Sequence, residues 1–447
     1  MDHIEKKIVE AIEANAEEII RIGREIWQYP ELGYKENRTS AMFADFCTKH
    51  GLMTEKNLAV TGVKSYLKPP AEDQITVALI GELDALPLSD SPYAHPETGA
   101  AHACGHNAQM AGIMGALLGL ADPEVKEALG GNVVFFATPA EEFVEMEFKQ
   151  GLMKQGVIGY GGGKSELIRI GAFDDIDLVI AHHIMPNIDL ALSNHPSTGF
   201  MSKIVHYHGV ASHAADAPHK GVDALNAATV AMTAVNCQRE SFRDQDTVRV
   251  HGFLSRGGEA MNVIANQTTM EYSVRANNVP AILDANRKFD RAVRAGAVAT
   301  GCGAEIITMP GYLPIVPQKD TGFLNDALED AAGSYSVSHY EPGKIMGGST
   351  DLGEVSHLLP MYWFHTGGFE GNLHGKDTHP ADEYLAYVVT AKVFALSAYK
   401  LLKNNGEHAK KICAEHSPVM TKQSYIEFMS RYNSAEVIPM DEIEPLQ

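Results

Sequence analysis

Cys104 and His106 stand two residues apart in the run His102-Ala103-Cys104-Gly105-His106-Asn107, with a glycine between them. Gly105 permits the tight backbone that turns a thiolate and an imidazole toward one point. Together they are ligands for a borderline metal such as zinc or manganese. By itself the pattern also fits a buried free thiol beside a hydrogen-bonded histidine. Glu141 and Glu142 are neighbouring carboxylates directly after an apolar run at 132–137. Adjacent side chains of extended chain point different ways, so one can bind a metal while the other reaches the water it holds; an exposed acidic helix cap is the plainer alternative. His182-His183 follows a second apolar run, and His374 closes the glycine-rich stretch 367–374. The joint set is one thiolate, three imidazoles and one carboxylate, with a second carboxylate to spare. Five ligands exceed the four of a structural zinc site, and none shows Cys-x-x-Cys spacing. They suit a pair of metals about 3.5–4 Å apart, the arrangement of metal-assisted hydrolysis.

The elements around these residues explain how they could meet. Residues 75–80 form a short β-branched run that reads as a buried strand and delivers Asp84 just past its end. Residues 132–137 and 177–181 read the same way, and 107–120 predict a nearly all-apolar, central helix. Apolar residues at helical spacing (Ile8, Ile12, Ile19, Ile22, Ile26) predict one helix over 4–28, and a second runs from 37 to about 50. Each strand sheds polar, metal-competent residues where it ends, which is where open α/β sheets bind ligands. From about residue 198 the pattern changes. Strands at 201–209, 247–254, 267–276 and 304–309 alternate with helices at 221–239 and 281–298. This β-α-β-β-α-β order predicts a ferredoxin-like module. The fold class expected is therefore α/β. A catalytic domain with a mostly parallel central sheet flanked by helices spans 1–197 and 313–447, and an α+β domain is inserted at 198–312. A closing helix is expected from 382 to about 402, and 434–447 read as an acidic surface tail.

Composition sets the outer bounds. At 447 residues two domains are the natural expectation, and 45% hydrophobic with 21% charged residues is a globular balance. A formal charge of -21 argues against nucleic acid or an anionic membrane as partner. Five scattered cysteines imply no disulfide framework and fit a reducing cytosol. Met1 to Lys7 lacks the apolar core of a signal peptide, and no apolar run approaches the roughly 18 residues that span a bilayer. A soluble, cytoplasmic protein is expected.

These residues resemble a known family, the dinuclear metallo-amidohydrolases that include aminoacylase, carboxypeptidase G and hippurate hydrolase. The likeness covers nearly the whole chain: Trp27 to Gly33, Leu83-Asp84-Ala85-Leu86-Pro87, His102 to His106, Pro139 to Glu142 and His183 to Pro186 follow in the family's order. The resemblance implies two divalent metal ions, zinc or manganese with cobalt or nickel as alternatives. Cys104 would bridge them, with His106, Glu142, His183 and His374 as the other ligands. It implies Glu141 as general base and Asp84 as the residue orienting a ligand histidine. His183 is chosen over His182 because it stands three residues before Pro186, and His374 over His379 because it lies shortly ahead of Asp382-Glu383. Glu82 and Asn107 stand where most of the cysteine-containing branch has aspartate. In this they resemble the subgroup of aminobenzoyl-glutamate hydrolase and the β-alanyl-dipeptide hydrolases, as does Gly348 to Gly353.

The inserted module is similar to the family's lid, which pairs two subunits, so a homodimer is implied. Ala211 to Ala215 resembles the segment whose histidine, here His213, reaches the partner's active site and polarises the scissile carbonyl. Asn262 and Arg275 match positions that hold the substrate's carboxylate, for which arginine's planar fork is apt. The activity implied is hydrolysis of the amide bond of an N-acyl or N-aminoacyl amino acid by two-metal-activated water. Glu141 would take the water's proton and pass it to the departing amine. The alternative is a dipeptidase acting on β-alanyl or other small dipeptides. A cysteine hydrolase with Cys104 as nucleophile and His106 as base is the rival chemistry, and it leaves the Glu141-Glu142 pair idle.

Overall fold

The computed structural model describes residues 1–340 and 343–441. Two compact units divide the chain. The first holds Met1–His195, Val316–Lys344 and Glu354–Lys422; the second holds Pro196–Ile315, Ile345–Gly353 and Gln423–Gln447.

The first unit is built on an eight-stranded sheet whose centre is parallel. Asn132–Thr138, Thr76–Glu82, Leu178–Ile184 and Met361–Thr366 lie side by side in that order, all parallel. Their residues are buried almost throughout, as expected of strands covered on both faces. Gly62–Tyr66 and Met53–Leu58 extend one edge antiparallel. Leu190–Ser193, antiparallel to Met361–Thr366, and Val337–His339, parallel to its neighbour, extend the other. The His106–Leu120 helix is buried except at Leu118. At Gly115 a Cβ would come within 2.6 Å of the Ala391 Cβ, so this glycine lets the Thr390–Glu415 helix approach closely.

Two expectations need correction here. The helix over 4–28 is two helices, His3–Ala14 and Ala16–Gln28, divided at Asn15, whose side chain bonds back to the Ala11 carbonyl at 2.8 Å. Its apolar stripe survives the break, and Ile8, Ile12, Ile19, Ile22 and Ile26 are all buried. The closing helix opens as a π-helical turn, Tyr384–Val389, and runs to Leu402 as expected; after four non-helical residues at 403–406 a further helical stretch reaches Glu415. It also has the length and mean hydropathy, 1.4 over 18 residues, of a membrane span. The expectation that no run approaches that length fails for this stretch. With 94% of that window buried inside the protein, it is a core helix.

The second unit shows the β-α-β-β-α-β order: Gly199–His208, Ala224–Cys237, Arg249–Arg256, Gln267–Ala276, Val279–Thr300 and Gly303–Pro310. The strands are antiparallel in the order Arg249–Arg256, Gln267–Ala276, Gly199–His208, Gly303–Pro310. Both helices pack on the sheet, enclosing Tyr207, Ala227, Ala231 and Phe289. A fifth strand, Ser434–Ile438, pairs with Gly303–Pro310. Residues 434–438 are thus part of a sheet and not a surface tail; residues 442–447 of that reading lie outside the described residues. Glu436 anchors this strand through both carboxylate oxygens on Arg294, at 2.8 and 2.5 Å.

Candidate metal centre

The centre lies within the first unit, and backbone geometry sets it up. Gly105 has φ +78° and caps the His106–Leu120 helix; a Cβ there would lie 2.2 Å from Ile184 Cγ1. Only glycine fits that conformation and that gap. His182 and His183 alternate across the Leu178–Ile184 strand and so face opposite sides. His182 Nε2 bonds Thr366 Oγ1 at 2.7 Å and its ring packs on Phe364 and Phe394. His183 Nε2 lies 3.1 Å from Cys104 Sγ. His374 adopts a left-handed backbone, φ +62°, and its N–H donates to the Ala103 carbonyl at 2.9 Å. Its Nε2 is then 3.2 Å from Cys104 Sγ and 3.6 Å from Glu142 Oε1. Ala140, at φ +49°, turns the chain between the end of Asn132–Thr138 and the Glu141-Glu142 pair. Non-glycine residues held in this region are strained by about 1–3 kcal/mol, and such strain gathers at functional sites.

The donors form three overlapping groups: Cys104, His106 and His183; Cys104, Glu142 and His374; and Glu82, His106 and Glu141. Within each group the ligand atoms lie within 4.8 Å of one another. Asp84 braces two of them. His106 Nδ1 donates to the Asp84 carbonyl at 2.9 Å and lies 3.3 Å from its Oδ1, while Oδ2 accepts the Glu142 N–H at 2.8 Å. Because a carbonyl only accepts, His106 keeps a proton on Nδ1, which leaves Nε2 as the atom aimed at the other donors. His183 follows the same rule, with Nδ1 donating to the Ile184 carbonyl at 2.6 Å.

Burial dominates the electrostatics. It pushes the Cys104 thiol well up, reinforced by the Glu142 carboxylate. It brings His183 down to about 4 and raises Glu142. Burial would lower His106 too, but the charges of Glu82 and Cys104 override it and raise that ring well above its usual range. Asp84 Oδ1, His106 Nε2 and Glu142 Oε1 are buried without a hydrogen bond. Polar atoms left unpaired inside a protein are costly. Here they converge with a sulfur and further imidazoles, a mixed S/N/O donor set that fits divalent cations.

Sequence reasoning missed the residues behind Glu82. Lys164, fully buried, bonds Glu82 Oε1 at 2.6 Å, and Gln109 bonds Oε2 at 2.7 Å. Lys149, also buried, holds the Glu142 carbonyl at 2.7 Å. No motif marks either lysine; the one available signal was Glu82 itself, an unusual choice at its position.

The remaining site residues belong to the second unit. His213 is exposed, and its Nδ1 accepts the backbone N–H groups of Ala215 and Asp216 at 3.3 and 3.0 Å. Asn262, also exposed, sits beside it, its carbonyl accepting the Ala214 N–H at 3.0 Å. Arg275 lies elsewhere in that unit. Its Nη1 bonds Ser349 Oγ at 2.8 Å and reaches Thr198 Oγ1 and the Gly347 carbonyl at 3.3 Å, over the Phe200 ring.

A parallel α/β sheet whose strand ends present such donors defines a hydrolase of the metallopeptidase class. Comparison with known proteins agrees. Residues 78–399 match the model of Peptidase family M20/M25/M40, and the chain belongs to that family. It is 29% identical over 431 residues to Xaa-Arg dipeptidase of Mus musculus, covering 90% of each chain. It is 27% identical to a chain of the p-aminobenzoyl-glutamate hydrolase of Escherichia coli (strain K12), covering 89% of this chain and 80% of that one. N-acetyl-L-cysteine deacetylase of Bacillus subtilis (strain 168) is 25% identical, with 88% and 90% covered. The fold matches that of a dinuclear metal binding peptidase from the M20 family of Bacillus subtilis, with a TM-score of 0.63 at 21% identity, covering 87% of this chain and 99% of that one. It also matches an aminobenzoyl-glutamate utilization protein from Klebsiella pneumoniae, with a TM-score of 0.64 at 17% identity, covering 87% and 97%.

Proposed function

We propose that this hydrolase cleaves the amide bond of an N-acyl or N-aminoacyl amino acid, such as an aminobenzoyl-glutamate-like conjugate. The observation that carries the reading is the pair of three-donor groups sharing the Cys104 sulfur. Cys104, His106, Glu142, His183 and His374 would hold two divalent cations, zinc or manganese with cobalt or nickel as alternatives. When bound, these ions supply electrophilic polarisation of the amide carbonyl and acidify a water. Glu141 Oε2 stands 4.0 Å from His106 Nε2, beside the donors but outside both Cys104 groups, as a base needs to be. It takes the proton from the attacking water and returns it to the departing amine nitrogen. Asp84 keeps His106 and Glu142 in register.

His213 of the partner subunit would complete the site, in a homodimer paired through the inserted domain at 198–312, which would also serve as lid. With Nδ1 accepting two backbone N–H groups, the ring carries a proton on Nε2 and can donate to an oxyanion. Arg275 keeps Nε and Nη2 without a hydrogen bond among the described residues and would hold the substrate's carboxylate, with Asn262 of the partner subunit reaching it alongside the partner's His213. The catalytic domain would be the first unit, without the Ile345–Gly353 and Gln423–Gln447 parts of the 313–447 span expected for it, and the protein would work in the cytoplasm.

A second reading, a dipeptidase for β-alanyl or other small dipeptides, is favoured by the likeness to Xaa-Arg dipeptidase. A thiol nucleophile is disfavoured, because burial and Glu142 hold the Cys104 thiol protonated while nucleophilic cysteines need the opposite. The test is Glu141→Gln assayed on N-acyl amino acids, aminobenzoyl-glutamate and β-alanyl and arginyl dipeptides, with elemental analysis alongside. Metal content unchanged and turnover reduced at least about 100-fold is expected. Full activity of the variant would refute Glu141 as base, and a metal-free wild type active in chelator would refute the whole reading.

A further inference from the structure

Glu82 ends the Thr76–Glu82 strand inside the protein, and three side chains from two helices converge on its carboxylate. Lys164 of the Gly163–Ile170 helix holds Oε1 at 2.6 Å. Gln109 of the His106–Leu120 helix donates to Oε2 at 2.7 Å and its own Oε1 accepts the Glu82 N–H at 3.1 Å. On its remaining side Oε2 stands 3.0 Å from His106 Nε2. That last contact is not a hydrogen bond, since His106 Nε2 has none. With Nδ1 turned to the Asp84 carbonyl, Nε2 and Oε2 face each other across 3.0 Å in a buried site without hydrogen-bond geometry between them. Glu141 Oε2 adds a second oxygen 4.0 Å from the same nitrogen. Glu82, His106 and Glu141 thus form one of the three donor groups, with ligand atoms within 4.8 Å of one another, as a bound cation needs.

We propose, resting on the metal-centre reading above, that Glu82 is a further carboxylate donor to the cation held by His106, and that Lys164 is its positioning residue. Lys164 and Gln109 fix the carboxylate plane so that one lone pair of Oε2 remains for the metal. The lysine also offsets the charge that this extra carboxylate brings into the buried site. A glutamate is long enough to reach the lysine and the cation together.

The test is a Co2+ titration of metal-free, full-length protein. Visible absorption of the thiolate-ligated ion is followed, and bound cobalt is counted after gel filtration. Wild type is expected to take two equivalents. Glu82→Gln is expected to take one tightly and the second at least about 10-fold more weakly, with altered band intensities. That variant strands the Lys164 charge, so the double variant Glu82→Gln/Lys164→Met accompanies it. Exchanging a whole buried ion pair for neutral groups is well tolerated by folds, and the double variant should keep the metal defect. Glu82→Asp, which keeps the charge and shortens the reach by one methylene, should also weaken the second equivalent. A wild type that binds fewer than two ions overturns the proposed function. A wild type that binds two, with a double variant matching it in affinity and spectrum, overturns the role of Glu82 alone and leaves the proposed function standing.

Discussion

Replacing Gly105 by alanine isolates the backbone hinge on which the Cys104-His106 pair depends. At φ +78° an L-residue is disfavoured by about 1 kcal/mol. The added Cβ would fall 2.2 Å from Ile184 Cγ1 and 2.8 Å from its Cδ1 and Cγ2. Ile184 is fully buried at the end of its strand and cannot swing into solvent. Overpacking of this kind costs about 1–3 kcal/mol, so Gly105→Ala should lower stability by about 2–4 kcal/mol in all. Urea denaturation of the metal-free protein measures it, run as a double-mutant cycle with Ile184→Ala. In the trimmed background only the backbone contribution remains, and the cost should fall to about 1 kcal/mol. Equal costs in both backgrounds would refute the steric argument, and no cost in either would refute the hinge itself. Because the hinge also aims the two ligands, Gly105→Ala should weaken Co2+ binding even where it folds.

Other perturbations read different parts of the molecule. Cys104→Ala removes the atom shared by two donor groups, so elemental analysis should find both metal equivalents weakened, not one. Arg275→Lys exchanges a planar fork for a point charge; KM for a carboxylate-bearing substrate should rise at least about 10-fold with a smaller change in kcat, and equal KM values would remove Arg275 from substrate binding. Glu5 caps the first helix and bonds Lys400 and Lys403, each at 3.0 Å. Burial opposes its ionisation, but the Asp2 N–H and the two lysines win and hold its carboxyl at about 2. A carboxyl lowered on folding contributes stability above its unfolded value of about 4.5 that is lost as pH falls toward 2. Glu5→Gln should therefore cost about 1–3 kcal/mol at neutral pH, with the gap to wild type closing between pH 4.5 and 2 in acid titrations of stability.

Much of the centre could be read in the sequence because its donors sit in short motifs at strand ends, where strand period and glycine placement constrain side-chain direction. The alternation of His182 and His183 is such a case. So is the ferredoxin-like order of the second unit, whose strands and helices alternate in clean blocks. Other features depend on contacts between distant residues. The Lys164 ammonium is buried against Glu82, and a lysine in a helix otherwise reads as solvent-facing. Ser434 to Ile438 looks like a tail because its hydrogen bonds go to Gly303–Pro310, which nothing local announces. The break at Asn15 escapes notice because the isoleucine stripe continues through it unchanged.

The strand at 434–438 has a consequence for how the protein is made. During synthesis Gly303–Pro310 emerges well before the segment that will cover its outer side, leaving a row of unpaired amides and carbonyls that other nascent chains could join. Shortening the chain to residue 433 would make that transient vulnerability permanent, and the shortened protein should self-associate through the bared edge while its metal ligands, all in the other unit, stay intact.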